Sequence, residues 1–415
     1  MLREHAQKIY TQAIEKNMPK EAVKRAIENN YSKIVNGGGE LVIISIGKAG
    51  WEMANDAHSM LGDKIDKGVV ITKYNHSRGA IGNLEIYEAG HPVVDFNGIC
   101  ATKRALELTE GLSEKDTVLF LVSGGGSALF ESVDCPLEKM QELTGTLLKC
   151  GASINEINTV RKHISNVKGG KLARHVYPAE VFAIVLSDVV GNDLSTIASG
   201  PAVADSTTVQ DCLDIIDRYK ISLDGEMMSL LKNETPKEIK NATHILSGSV
   251  SMLCQSAKET AQSLGYCARV VSDCIDCDVE KMGEAFEELI IKNQNPKSPL
   301  AFIFGGEVTV RVRGEGKGGR NQHLALLCAE KIKNRKNMAV FCVGSDGTDG
   351  PTDMAGGFVD GDTYENMAKK GISAEECLKN NDSYNGLASV NGLIYTGPTG
   401  TNVNDLYVLL IQKGE

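Results

Sequence analysis

Five times the chain runs from a short apolar stretch directly into glycine, serine, lysine or aspartate. Residues 41–46 enter Gly47-Lys48-Ala49-Gly50, residues 118–122 enter Ser123-Gly124-Gly125-Gly126-Ser127, and residues 181–186 enter Ser187-Asp188. Residues 301–304 enter Gly305-Gly306-Glu307, and residues 339–343 enter Gly344-Ser345-Asp346. Each junction reads as the carboxyl end of a buried strand, and open α/β sheets bind ligands just beyond such ends. Glycine lets backbone N–H groups approach an anion closely, while lysine and aspartate supply the charges that phosphate and its metal require. The pattern is that of an enzyme.

At 415 residues the chain exceeds what one core usually supports, so two domains are expected. A formal charge of −10 argues against nucleic-acid or anionic-membrane partners, and any phosphate site must be a local one. The eleven cysteines are scattered, with only Cys274 and Cys277 in C-x-x-C spacing, and read as reduced, mostly buried thiols. Arg3, Glu4, His5 and Lys8 stand where a signal peptide needs an apolar core, and no run is long enough to span a bilayer. A soluble, reducing, cytoplasmic setting is expected.

Leu2, Ala6, Ile9, Tyr10, Ala13 and Ile14 share one helical stripe, and Pro19 opens a second helix. Strand 41–46, helix 51–61, strand 68–72, helix 99–111 and strand 118–122 follow. Helical stretches at 137–150 and 159–175 then precede strand 181–186. This alternation predicts parallel strands with helices on both faces. Lysine, asparagine, glutamate and proline crowd residues 231–241, which places the boundary between a domain of residues 1–235 and one of residues 236–415. The second begins with an apolar run at 244–246, enters Ser247-Gly248-Ser249 and continues as a helix to Leu264. From 307 to 313, Val308, Val310 and Val312 alternate with Thr309, Arg311 and Arg313, which predicts a half-exposed antiparallel strand and therefore a mixed sheet.

A Walker loop is absent, because Gly47-Lys48 is followed by Ala49 and Val42 holds the first glycine position. Lys48 still stands at a strand end before a helix, where an ammonium can offset charge on a transferring phosphoryl group; a solvated loop lysine is the plain alternative. Three consecutive glycines, 124 to 126, are more than a strand-to-helix turn needs and suit an anion cradle. Residues 314–319 fit G-x-G-x-x-G, yet the strand before them alternates charge and no acidic residue follows at the dinucleotide spacing. Arg320, Asn321 and Gln322 then open a helix, with a guanidinium suited to a carboxylate or phosphate. Asp188, Asp193, Glu307, Asp346, Asp349 and Asp353 are candidates for Mg²⁺ or for general-base work, although any one aspartate is more often a turn or cap residue. His91 reads as a structural loop histidine, with orientation of a substrate as the alternative. The basic run Arg161, Lys162, His163, Lys168 and Lys171 reads as a solvated helical face, with a small anionic substrate as the alternative.

Together, the segments 46–49, Gly90-His91-Pro92-Val93-Val94-Asp95, 121–128, 158–173, 186–189, Ser199-Gly200-Pro201, 305–307, 318–322, 344–353 and 399–405 resemble the type II glycerate kinases, which phosphorylate D-glycerate at its 2-hydroxyl. The likeness runs in order from about residue 5 to the end. It implies a large Rossmann-like three-layer domain with a parallel sheet, a smaller α/β domain of MOFRL type with a mixed sheet, and a cleft between them that binds ATP, Mg²⁺ and D-glycerate. By the same resemblance Lys48, Arg320 and Asp188 are catalytic, and Asp188 and Glu307 hold the metal. Nucleotide and substrate contacts fall to Gly47, Ser123, Gly124, Gly125, Gly126, Ser127, Asn192, Asp193, Gly306, Glu307, Gln322 and Asp346. A homodimer stays open as the assembly. The chain departs from the family pattern at His323, where glutamate is expected, and at Met354, where alanine is usual. Two rival readings stand beside this one: an NAD(P)H-dependent hydroxypyruvate reductase, a label relatives of the family have carried, and a sugar-acid binding module without catalysis.

Overall fold

The computed structural model describes residues 1–35, 38–189 and 191–414. In the first half lie β1 (Leu41–Ile46), β2 (Lys67–Lys73), β3 (Glu85–Ala89), β4 (Thr117–Val122), β5 (Glu180–Leu186) and β6 (Ala242–Gly248). They hydrogen-bond in the order β3-β2-β1-β4-β5-β6, the order of doubly wound Rossmann sheets. β1, β4 and β5 are apolar at nearly every position and buried on both faces, as central parallel strands must be. Ile43, Leu119, Leu121 and Ile184 pack beneath the helices Pro19–Ile34 and Gly50–Leu61. Their strand neighbours Val42, Ile44, Phe120 and Val122 are buried toward the other face, and the helices Phe96–Leu108 and Lys171–Val176 pack on β2, β3 and β5. Ile46 pairs with Val122, so β1 and β4 end level with each other.

The second half forms β7 (Cys267–Asp278), β8 (Leu300–Thr309), β9 (Met338–Gly344), β10 (Gly356–Asp360), β11 (Leu393–Ile394) and β12 (Asp405–Ile411). Their order is β11-β10-β9-β12-β8-β7, mixed because β7 and β8 run parallel while the other pairs run antiparallel. The sheet is covered on both sides by strict alternation. Ala339, Phe341, Leu406 and Val408 face the helices Leu2–Glu15 and Val250–Ser263, whereas Val340, Cys342, Tyr407 and Leu409 face Val279–Lys292 and Arg320–Lys331. No helix of the described residues is long and apolar enough to cross a membrane.

The chain divides into compact units at places other than 235/236. One unit comprises Ala22–Ser187 and Asn192–Ser247; the other comprises Met1–Glu21, Asp188–Gly191 and Gly248–Glu415. The apolar run at 244–246, read as the start of the second domain, is the edge strand β6 of the first sheet. The Asn241 side chain fixes its start by donating to Ala173 O and Ala179 O. The first helix belongs to the second unit because its stripe of Ala6, Ile9, Ala13 and Ile14 completes that unit's core.

Gly305 and Gly306 also differ from expectation. They lie inside β8 rather than beyond its end, and of the strand expected to be antiparallel only Glu307–Thr309 is regular, pairing parallel to β7 instead. A Cβ on Gly305 would stand 2.6 Å from Val250 Cγ2, so this glycine admits the covering helix. Gly306, at φ 141°, passes Ile275 O where the β7–β8 register is irregular. Gly305→Ala should overpack the contact and lower unfolding free energy by about 1–3 kcal/mol in urea titration. An unchanged midpoint would mean that the helix Val250–Ser263 is free to back away.

Candidate active site

In the first unit the strand order reverses between β1 and β4, the position at which doubly wound sheets open a crevice. Gly47, with φ 111°, approaches Ser123 so closely that a Cβ would lie 2.5 Å from Ser123 O. The two loops are thereby joined. Lys48 N–H donates to Gly124 O at 2.8 Å, and Ala49 N–H donates to Ser123 Oγ at 3.0 Å. The helix Gly50–Leu61 starts here without a side-chain cap, and the amides of Gly124, Gly125 and Gly126 find no acceptor among the described residues. Unpaired N–H groups on a glycine loop beside a helix start form a seat for an anion.

Lys48 has company that the sequence reading did not assign. A Cβ on Gly125 would stand 2.8 Å from His91 Cδ2 and 3.4 Å from Lys48 Cγ, so these three residues meet. His76 Nδ1 lies 3.1 Å from Lys48 O. Burial, followed by the charges of Lys48, Lys73 and His76, pushes the His91 pKa down to about 4, and the imidazole is neutral at physiological pH. His91 follows a glycine in the 90–92 motif, and that neighbourhood was its signal; the sequence could not show that the motif reaches the Gly125 loop.

Ser127 ends this loop and is tied on two sides. Its hydroxyl lies 2.9 Å from Ser199 Oγ, which donates to Asn158 Oδ1 at 3.1 Å, and its carbonyl accepts from Arg161 Nη2 at 2.6 Å. Ala198 and Ser199 sit at φ 51° and 60°, a left-handed pair held against Gly126. Arg161 belongs to the basic run expected to be a solvated face, and that expectation is overturned. The run is two helices, Ile154–Ile164 and Lys171–Val176, broken at Gly169 and Gly170, and its charges point inward. Lys168 is fully buried and lies 3.0 Å from Glu131, itself fully buried and 3.6 Å from Arg161. Lys162 pairs with buried Asp205 at 3.2 Å, and Lys171 donates to His163 O and Ser165 O. Burial pulls the Lys168 and Lys171 pKa values down to about 8. Buried charges survive only when paired, and the partners come from segments far away in sequence.

Of the remaining candidates in this stretch, Asp193 is engaged locally: it accepts from Ser195 N–H, Ser195 Oγ and Thr196 Oγ1. Its carboxylate shapes the turn. Asn192 precedes it at φ 55°. Asp188 is half-buried directly after β5 and groups with the second unit.

In the second unit the chemistry gathers around Arg320. Its Nε donates to Asp405 Oδ2 at 2.6 Å, its Nη2 reaches Asp405 Oδ1 at 3.3 Å, and its Nη1 donates to Glu307 Oε1. Asp405 is buried, and Tyr407 Oη, two residues along β12, donates to it at 3.1 Å. Burial pushes the Asp405 pKa up while Arg320 opposes it. Asp405 and Tyr407 carried no role in the sequence reading; their alternation on one strand face was the available signal. Arg320, Glu307, Asp346, Asp349 and His323 line a cavity of about 580 Å³.

The first part of the glycine-rich run, residues 314–317, is not an anion loop. Arg313 and Gly314 amides donate to Asn381 Oδ1, the Glu315 amide to Asn380 Oδ1, and the Lys317 amide to Asp382 Oδ1. At the start of the helix Arg320–Lys331, the Asp349 carboxylate accepts from Asn321 N–H at 3.0 Å and from Gln322 N–H at 2.8 Å. The protein's own carboxylate thus fills the place a phosphate would take. Gln322 is fully buried and donates to Thr352 Oγ1 at 2.8 Å, which makes it a packing and capping residue in this structure.

Two α/β units, one with a lysine and glycine loop at a sheet switch point and one with a carboxylate-braced arginine above a cavity, define a phosphate-handling enzyme class rather than a dinucleotide oxidoreductase. Residues 5–232 match the domain of unknown function DUF4147, and residues 300–405 match the MOFRL family. The D-glycerate 2-kinase of Thermotoga maritima is 47% identical over 99% of this chain and 98% of its own. The glycerate 2-kinase of Pyrococcus horikoshii is 38% identical, over 99% and 98% respectively. The crystal structure of the Thermotoga maritima glycerate kinase superposes with a TM-score of 0.94 at 46% identity, covering 99% of both chains. The chain belongs to the glycerate kinase family, in which a DUF4147 domain is followed by a MOFRL domain.

Kinases of this kind imply Mg²⁺. Among the described residues no group of three or more histidine, cysteine or carboxylate side chains could hold a metal alone. Glu307 is half-exposed on the cavity that Asp346 also lines. One or two carboxylates facing a cavity fit Mg²⁺, which takes its other ligands from water and phosphate.

Burial pushes the Asp349 pKa up to about 7, against its two amide donors and with the Asp405 charge adding to the rise. A carboxyl whose pKa is higher folded than unfolded stabilises the fold below its unfolded value of about 4 and loses that contribution as pH rises to about 7. Stability should therefore fall across this window by at most about 1.4 kcal/mol per pH unit from this group. Asp349→Asn should flatten that slope in urea titrations at several pH values; an identical slope in the variant would contradict the assignment.

Proposed function

We propose that this chain transfers the γ-phosphoryl group of ATP to D-glycerate at its 2-hydroxyl, giving 2-phosphoglycerate and ADP by direct in-line displacement. The observation that carries the reading is near-full-length similarity to D-glycerate 2-kinase, at 47% identity, with Lys48 and Arg320 set in the surroundings just described. Lys48, in the glycine-loop seat, offsets negative charge on the transferring group, and Arg320, held in orientation by Asp405, offsets phosphate charge as well. His91 is neutral and orients an oxygen by hydrogen bonding rather than by charge. Asp188 accepts the proton of the attacking hydroxyl. Glu307 would hold Mg²⁺, which would supply positive charge to offset that of the phosphates.

The hydroxypyruvate reductase reading has less support. The turn after β1 has Ala49 where a dinucleotide fingerprint needs its second glycine, and the amides around 314–317 are already engaged.

A coupled ADP-release assay with D-glycerate, ATP and Mg²⁺, followed by identification of the phosphoglycerate isomer, should give the 2-phosphate. Formation of the 3-phosphate, or NADH oxidation with hydroxypyruvate and no ADP, would overturn the reading. Lys48→Ala and Arg320→Ala should each lower kcat by about 10²-fold or more, roughly 3 kcal/mol of transition-state stabilisation. Near-normal turnover in both would rule out their assigned roles.

A further inference from the structure

We propose that the cavity beside Arg320 seats the nucleoside of the phosphoryl donor, with its phosphate chain leaving past the guanidinium; this rests on the kinase reading. Size decides against the acid. About 580 Å³ lies within the range of small-molecule sites and would leave a three-carbon acid surrounded mostly by water.

The lining combines two chemistries. Val308, Val310, Val312 and Pro351 are apolar, and Val312 is 79% exposed, an apolar side chain offered to whatever enters. Arg320, Glu307 and Asp346 are charged. Arg320 uses three of its five N–H donors on Asp405 and Glu307 and remains about one-third exposed, which leaves donors for a phosphate oxygen.

The loop that follows Val312 is also fixed in advance. Amides from Arg313 to Lys317 are bound by Asn380, Asn381 and Asp382, and the Lys317 ammonium lies 4.1 Å from the centre of the Tyr384 ring. With the amides from Arg313 to Lys317 engaged, this part of the loop recognises by shape and apolar contact, as a base requires. His323, nearly buried at the same cavity, has its pKa lowered by burial and supplies one donor and one acceptor nitrogen to a base edge or ribose.

The test is equilibrium binding of Mg·ADP to the full chain without glycerate, read with a fluorescent ADP analogue and displaced by adenosine. Val312→Asp, at an exposed position that folding tolerates, and His323→Ala should each weaken ADP binding at least about tenfold. They should raise the KM for ATP in parallel and leave the KM for glycerate within about twofold. Adenosine should displace the analogue, whereas inorganic tripolyphosphate alone should do so far less well. Unchanged ADP affinity in Val312→Asp, or displacement by tripolyphosphate but not adenosine, overturns the proposal. Because binding is read without turnover, tight ADP binding in a protein that does not phosphorylate glycerate would sink the kinase reading and leave this one standing.

Discussion

The close approach of Gly47 to Ser123 sets the geometry of the first unit. It is possible because β1 and β4 end level and because residue 47 carries no side chain. From that contact follow the bond from Lys48 N–H to Gly124 O, the position of Lys48 over Gly125, and the placement of His91 against the same glycine. The charge arrangement is then a consequence of backbone packing. In a chain of net charge −10, Lys48, Lys73 and a helix start make a small positive region, and half-buried Arg161 braces the loop through Ser127 O.

The two glycine-rich loops show how similar sequences take opposite roles. Among the described residues the amides of 124–126 have no acceptor, while those of the 313–317 segment are satisfied by Asn380, Asn381 and Asp382. Glycine permits a close approach in both cases: His91 and Ala198 come against Gly125 and Gly126 in the first, and the loop at Asn380–Asp382 comes against the second. Asp349 extends this logic by capping the helix Arg320–Lys331 from within, so that Arg320 presents its side chain, not its backbone, to the cavity.

Much of this was legible in the sequence. Apolar runs such as Leu41–Ile46 and Thr117–Val122 have no polar face, and only central parallel strands accept them. Lys48 and the glycines 124 to 126 followed from their place at those strand ends. What could not be read depends on distant partners. The Lys168 side chain looks solvated until Glu131, 37 positions away, is seen beside it. The edge strand Ala242–Gly248 resembles a fresh start because it is only partly buried, and the first helix looks like part of the nearest sheet although its apolar stripe serves the farther one. Gly305 and Gly306 mimic a strand end while accommodating a helix above and an irregular strand beside them.

The central claim is the proposal that Lys48 and Arg320 both serve the phosphoryl transfer. A double-mutant cycle on kcat tests it most directly. If the two cations act as one assembly, the variant lacking both should be little slower than the slower single variant, because losing either already disables the step. A double variant whose loss equals the product of the two single losses would show that the residues act independently and contradict the account.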